Sequence, residues 1–179
     1  NPNIKLSNVT FRVARKGSKE YQDIVTGNDG VARLTGLDID AGGEYFTVKE
    51  IVTANGYILN DQEQTIEVKP GQVTTITVEN HKKPSFELLK IDSITKEPLA
   101  HATFHFEYVD GKDIGTFQSD SDGRIYLSQL DPGRIRITEI SSADGYLLDD
   151  EPHEILLEPG KEAVLTIENT PISPLIVKK

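Results

Sequence analysis

Cysteine, methionine and tryptophan are all absent from this chain of 179 residues. Without cysteine there is no disulfide, no thiolate metal ligand and no thiol nucleophile. A secreted domain with no disulfide needs another source of robustness. Positive charge is scarce: 19 Lys and Arg stand against 29 Asp and Glu, for a net charge of −10. That balance disfavours nucleic acid, whose binding rests on cationic contacts to phosphate. It disfavours contact with an anionic membrane for the same reason. No apolar run approaches the roughly 20 residues a membrane-spanning helix needs. No stretch carries a helical hydrophobic period.

What the chain does have is a repeat. "VKEIVTANGYIL" at 48–59 lies over "ITEISSADGYLL" at 137–148, and "TTITVENHKKP" at 74–84 lies over "AVLTIENTPIS" at 163–173. "LSNVTFRV" at 6–13 lies over "LAHATFHF" at 99–106, with a few extra residues between these blocks in the first copy. Glu50 stands to Glu139 as Asn80 stands to Asn169, at one offset of 89 residues. A unit this long implies two domains rather than a solenoid, whose periods run roughly 20–50 residues.

Each copy reads as all-β. Short alternating runs (Val73–Glu79, Val164–Glu168, Tyr45–Lys49, Arg134–Thr138) are separated by turn pairs such as Asp29-Gly30, Asn55-Gly56, Asp122-Gly123 and Asp144-Gly145. Regularly spaced short strands predict a β-sandwich in each copy. The predicted boundaries are 1–81 for the first domain and 82–171 for the second. The polar segment "NHKKPS" at 80–85 links them.

Three strands of the second copy place a polar group on the face meant for the core. Side chains alternate along a strand, so Lys90 continues the stripe of Phe86 and Leu88. Glu139 continues Ile135 and Ile137, while Arg134 and Arg136 point the other way. Asn169 continues Leu165 and Ile167. As strand ends, each of these groups would simply reach water. Three together ask for more, because an isolated buried charge costs several kcal/mol. Burial lowers an amine pKa and raises a carboxyl pKa. A neutral lysine amine is a nucleophile, a carboxyl group can shuttle protons, and the Asn169 carboxamide is the available electrophile. Attack by Lys90 would expel ammonia and leave an amide crosslink.

The same motifs carry a family resemblance. "KIDSITKEPLAHATF" at 90–104, "TEISSADGYLL" at 138–148 and "IENTP" at 167–171 resemble the opening, middle and closing motifs of CnaB domains. These are prealbumin-like, or reverse immunoglobulin-like, stalk modules of Gram-positive surface adhesins and pilins. The resemblance covers nearly the whole chain in two copies. It implies an autocatalytic intramolecular isopeptide bond, with Lys90 as the amine, Asn169 as the amide and Glu139 as the catalytic acid. The family's proline in the middle motif is absent here, and its aromatic residue four before the glutamate is Ile135 in copy two and Phe46 in copy one.

Copy one has Glu50 as the matching catalytic residue and Asn80 as the matching amide. Leu6 matches Leu99, so the partner of Lys90 would fall before Asn1; Lys5 matches Pro98 and is no substitute. The first domain is thus expected to lack its first strand. At the other end, Leu175, Val177 and Lys179 repeat the spacing of Phe86, Leu88 and Lys90. Residues 172–179 are therefore expected to be the first strand of a following domain, or a strand donated to copy one that joins Lys179 to Asn80.

Other signals are weaker. "SDSDG" at 119–123 starts like a calcium loop but lacks the later acidic ligand, so a hairpin turn is expected. His101 and His105 are expected in one strand, too far apart to share an ion. Asn8-Val9-Thr10 fits a glycosylation acceptor by pattern only. No cofactor or metal site is expected. The expected function is mechanical: an extracellular, cell-wall-attached stalk segment and not an enzyme. Its partners would be neighbouring domains of the same protein, or head-to-tail copies through 172–179. A ligand-binding adhesin module gripping a host matrix protein, or a pilin subunit, is the alternative.

Overall fold

The computed structural model describes residues 4–173 and 175–177. Among them there is no helix, so none is long and apolar enough to cross a membrane. The chain divides into two compact units, residues 1–81 and 82–179.

The first unit holds β1 (Thr10–Arg15), β2 (Tyr21–Val25), β3 (Glu44–Val52) and β4 (Gln64–Val68). They form one antiparallel sheet in the order β2-β1-β3-β4. Val13, Phe46 and Val48 make its buried centre, with Leu34, Leu37, Ile66 and Ile76 packed on them.

The second unit is a complete sandwich. Its strands are β5 (Ser85–Asp92), β6 (Thr103–Tyr108), β7 (Asp113–Gln118), β8 (Arg124–Leu127), β9 (Gly133–Ser141), β10 (His153–Leu157) and β11 (Glu162–Asn169). One sheet runs β10-β9-β6-β7 and the other β11-β5-β8. Phe86, Leu88, Ile125 and Ile167 from the smaller sheet meet Phe104, Phe106, Ile135 and Ile137 from the larger. All eight are buried, as alternation in strands with one inward face requires. β5 sits between its neighbours, parallel to β11 and antiparallel to β8.

Two strand readings are corrected. Residues 73–79 form no strand. Their counterpart β11 pairs only with β5, and nothing among the described residues of the first unit stands where β5 would. An alternating sequence with no partner ladder stays irregular. The counterpart of β8, residues 31–34, is irregular for the same reason. His101 lies before β6 with φ of 67°, so only His105 is in a strand.

Residues 119–123 do turn, but not as a hairpin, because β7 and β8 belong to different sheets. Asp120 shapes the crossing by accepting hydrogen bonds from the N–H groups of Asp122 and Arg124, at 2.9 and 2.8 Å. The crossing ends on Gly123, whose φ is 71°. A Cβ there would lie 2.3 Å from the Lys90 carbonyl oxygen. Gly123→Ala should therefore push β5 away from its seat and destabilise the second unit by roughly 1–3 kcal/mol. Thermal unfolding of the variant would read this directly.

Candidate functional site

Lys90, Glu139 and Asn169 are brought together inside the second unit. Each is carried inward by its strand's alternation, and they are 0%, 2% and 1% exposed. Lys90 and Asn169 lie on the paired strands β5 and β11, where Lys90 is opposite Ile167 and Asn169 opposite Asp92. Glu139 reaches across from the facing sheet, opposite Phe104 in the β6–β9 ladder.

The Asn169 carboxamide is held at both ends. Its Nδ2 donates to Glu139 Oε1 and Oε2 at 2.9 and 3.1 Å. Lys90 Nζ donates to its Oδ1. Lys90 Nζ also lies 3.6 Å from Glu139 Oε1 and 5.7 Å from the centre of the Phe104 ring. Burial pushes the Lys90 amine below its ordinary range, and the opposing charge of Glu139 does not cancel that push. A lysine so placed is more readily available as the neutral nucleophile. The Asp149 N–H donates to Glu139 Oε2 at 3.0 Å and fixes the carboxylate from behind.

The first unit repeats the acceptor half. Asn80 Nδ2 donates to Glu50 Oε1 and Oε2 at 2.8 and 3.0 Å. It also donates to Ile58 O at 3.0 Å and Thr53 Oγ1 at 3.2 Å. Glu50 is 1% exposed. Phe11 stands opposite Glu50 as Phe104 stands opposite Glu139, each just after a register shift in its strand. Among the described residues no lysine amine reaches this pair. Lys179 lies outside the described residues.

Alternation along β5 carries one more polar residue inward, two positions beyond Lys90. Asp92 is buried at the end of β5. It accepts from the N–H groups of Ile94 and Thr95 through Oδ1, and from the Tyr146 hydroxyl through Oδ2 at 2.8 Å. The two backbone donors and the tyrosine hold its carboxyl below the usual range. Together they lock the strand end two residues beyond Lys90. In the sequence, Asp92 shares the phase of Phe86, Leu88 and Lys90, and the turn-forming "DSIT" sequence and the aromatic in "DGY" supply its partners. Among the described residues no group of His, Asp and Glu is gathered closely enough to hold a metal ion.

Comparisons with known proteins agree with this architecture. The family described as SpaA, prealbumin-like fold domain, matches residues 1–82 and again 84–171. No curated protein matches the chain. Among solved structures, the Bacillus anthracis TIE protein is similar with a TM-score of 0.52 and 24% identity. The match covers 93% of this chain but 31% of that one, so this chain spans under a third of its length. The shaft pilin SpaA from Lactobacillus rhamnosus GG is similar with a TM-score of 0.51 and 16% identity, over 96% of this chain and 90% of that one. At these identities the likeness is one of fold.

Proposed function

Because the chain belongs to the SpaA prealbumin-like fold domain family, matched in two consecutive copies, we propose that it is a stalk segment of a cell-wall-attached surface protein. Its second domain is locked by an amide bond between Lys90 and Asn169. The observation that carries this reading is the enclosed triad: a buried amine on the carboxamide of Asn169, whose nitrogen is held by Glu139. The likeness to a shaft pilin supports the stalk role.

The chemistry follows from the contacts. Neutral Lys90 Nζ attacks Asn169 Cγ. The C–N bond to Nδ2 breaks, and that nitrogen leaves as ammonia. Glu139 carries the surplus proton of the attacking amine to the departing nitrogen, which it already touches. The new bond joins Nζ to Cγ, and no oxidant or cofactor enters the balance. Exclusion of water matters, because water in place of the amine would give aspartate. Glu139 turns over once on its own chain, so the protein is not an enzyme in the usual sense.

A covalent tie between β5 and β11 joins the first and last strands of the domain. Pulling on the ends then loads a covalent bond rather than a ladder of hydrogen bonds. It does for this chain what a disulfide does elsewhere, with no cysteine and no oxidising compartment needed. The domain boundaries of this reading are 1–81, 82–171 and a tail of 172–179. Its partners are neighbouring domains of the same extracellular protein.

Closure should depend on pH through Lys90. An amine with a lowered pKa holds less of its proton in the folded state, so its nucleophilic form grows as pH rises from the acid side. Chain held unreacted in denaturant, then diluted into buffers of rising pH, should lose ammonia faster at each step. The rise should level off below the ordinary lysine value of 10.5. A rate that falls across the same range would contradict the role given to Lys90.

A further inference from the structure

The reacting pair of the second unit sits at the open end of a ladder. β5 and β11 run parallel, and Asn169 stands opposite Asp92 at the last rung. There the Ser93 N–H donates to Asn169 O at 3.0 Å. Beyond that bond the two chains part. β5 turns back, with the Lys96 N–H on Asp92 O at 3.1 Å, while the chain after β11 pairs through Pro171 with Tyr146. Strand ends open more readily than strand centres. Lys90 Nζ has to stay aimed at Asn169 Cγ all the same, because a displacement of about 1 Å can cost on the order of 100-fold in rate.

One segment, residues 142–149, is bonded to all three limbs of the site. It follows β9 directly and returns to that strand through the Asp149 N–H, which donates to Glu139 Oε2 at 3.0 Å. Two backbone bonds fasten it to the chain just after Asn169: the Leu147 N–H donates to Thr170 O at 2.9 Å, and the Ile172 N–H to Gly145 O at 2.8 Å. Its own shape is held by the Tyr146 N–H on Ala143 O at 3.1 Å and by the Ser142 hydroxyl on Tyr146 O at 2.9 Å. The first unit repeats this frame, with the Tyr57 N–H on Ala54 O at 3.1 Å and the Ile58 N–H on His81 O at 2.8 Å. All of these bonds serve the glutamate and asparagine limbs. Among the described residues, the segment's one hydrogen bond to β5 is the Tyr146 hydroxyl on Asp92 Oδ2, at 2.8 Å. Asp92 is 5% exposed, and a hydrogen bond to an ionised carboxylate is among the strong ones.

We propose that Tyr146 is a positioning residue for amide formation. Through Asp92 it pins the end of β5, and Lys90 with it, to the segment that already holds Glu139 and the chain bearing Asn169. Its hydroxyl acts two residues away from the amine, and no proton of the reaction passes through it; that transfer belongs to Glu139. The effect is on distance alone. It therefore shows in how fast the bond closes and not in the pH at which closure sets in. This inference rests on the amide-forming reading of the Lys90 site.

The test follows ammonia loss by intact mass in full chains diluted from denaturant, at a temperature where circular dichroism shows each of them folded. Tyr146→Phe keeps the ring and removes only the hydroxyl. It should slow closure on the order of 10- to 100-fold and leave the midpoint of the pH–rate curve where it was. Asp92→Asn is the conservative control. Its carbonyl still accepts from the Ile94 and Thr95 N–H groups, and its amide can donate to the tyrosine oxygen, so it should close at close to the parent rate. Adding Tyr146→Phe to Asp92→Asn should bring the slow rate back. That pair leaves no buried charge unpaired, so it keeps the test open if Tyr146→Phe alone does not fold. Closure of the hydroxyl-free chains at the parent rate overturns the proposal. So does an Asp92→Asn chain as slow as Tyr146→Phe, which would make the charge and not the tether decisive. A shifted pH midpoint overturns it too, by placing the hydroxyl on the ionisation of Lys90. A slow rate that sucrose restores, by strengthening burial throughout the chain, would reduce Tyr146 to general stability and end the proposal while leaving the Lys90–Asn169 bond intact. If the parent chain joins no Lys90 to Asn169, the proposal falls together with the reading it rests on.

Discussion

A chain carrying Glu139→Gln is expected to fold with Lys90 and Asn169 still unlinked and to join them only slowly. Glutamine has the same shape as glutamate and retains one oxygen that can accept from Asn169 Nδ2 or from the Asp149 N–H. What it loses is the ability to take a proton from one nitrogen and give it to the other. It also removes the negative charge 3.6 Å from Lys90, which favours the neutral amine still further. The nucleophile therefore survives, and the variant isolates proton transfer. General acid–base groups contribute typically on the order of 100- to 10,000-fold, so closure that completes during folding should become slow enough to follow by mass over time. A variant that closes at the original rate would assign Glu139 to packing alone.

Replacing Lys90 with methionine should lower stability by roughly the worth of the crosslink. Methionine fills much the same space in the apolar pocket, and Glu139 keeps its bonds to Asn169 and Asp149. The difference is then dominated by the lost crosslink. Lys90 and Asn169 are 79 residues apart in sequence. By the loop-entropy relation used for disulfides, such a tie is worth about 4–5 kcal/mol. For a domain of this size that corresponds to a fall in melting temperature on the order of 20 °C. Thermal unfolding followed by circular dichroism would measure it. A melting temperature within a few degrees of the parent would mean that no crosslink had formed in either chain.

Much of this was legible in the sequence, because the second unit obeys one simple rule. Its strands have one wet face and one dry face, so period-two alternation places Lys90, Glu139 and Asn169 inward with no structural information. The repeat added Glu50 and Asn80 by register alone. The rule failed where pairing, rather than patterning, decides structure. Residues 73–79 alternate as well as β11 does, but a strand needs a partner ladder, and alternation does not reveal whether the partner is there. The turn at 119–123 was visible as a turn, while its passage between sheets was not, since Asp-Gly chemistry is local and sheet membership is not. The phase of Asp92 with Phe86, Leu88 and Lys90 marks it as inward, but its partners, the N–H groups of the following turn and the Tyr146 hydroxyl, lie outside any strand period.

The measurement that tests the central claim most directly is the intact mass of the purified chain under denaturing conditions, with digestion to locate any crosslink. The mechanism predicts the loss of one ammonia from the second unit, with the peptides bearing Lys90 and Asn169 joined. A folded chain of full mass, with those two peptides separate, would contradict it.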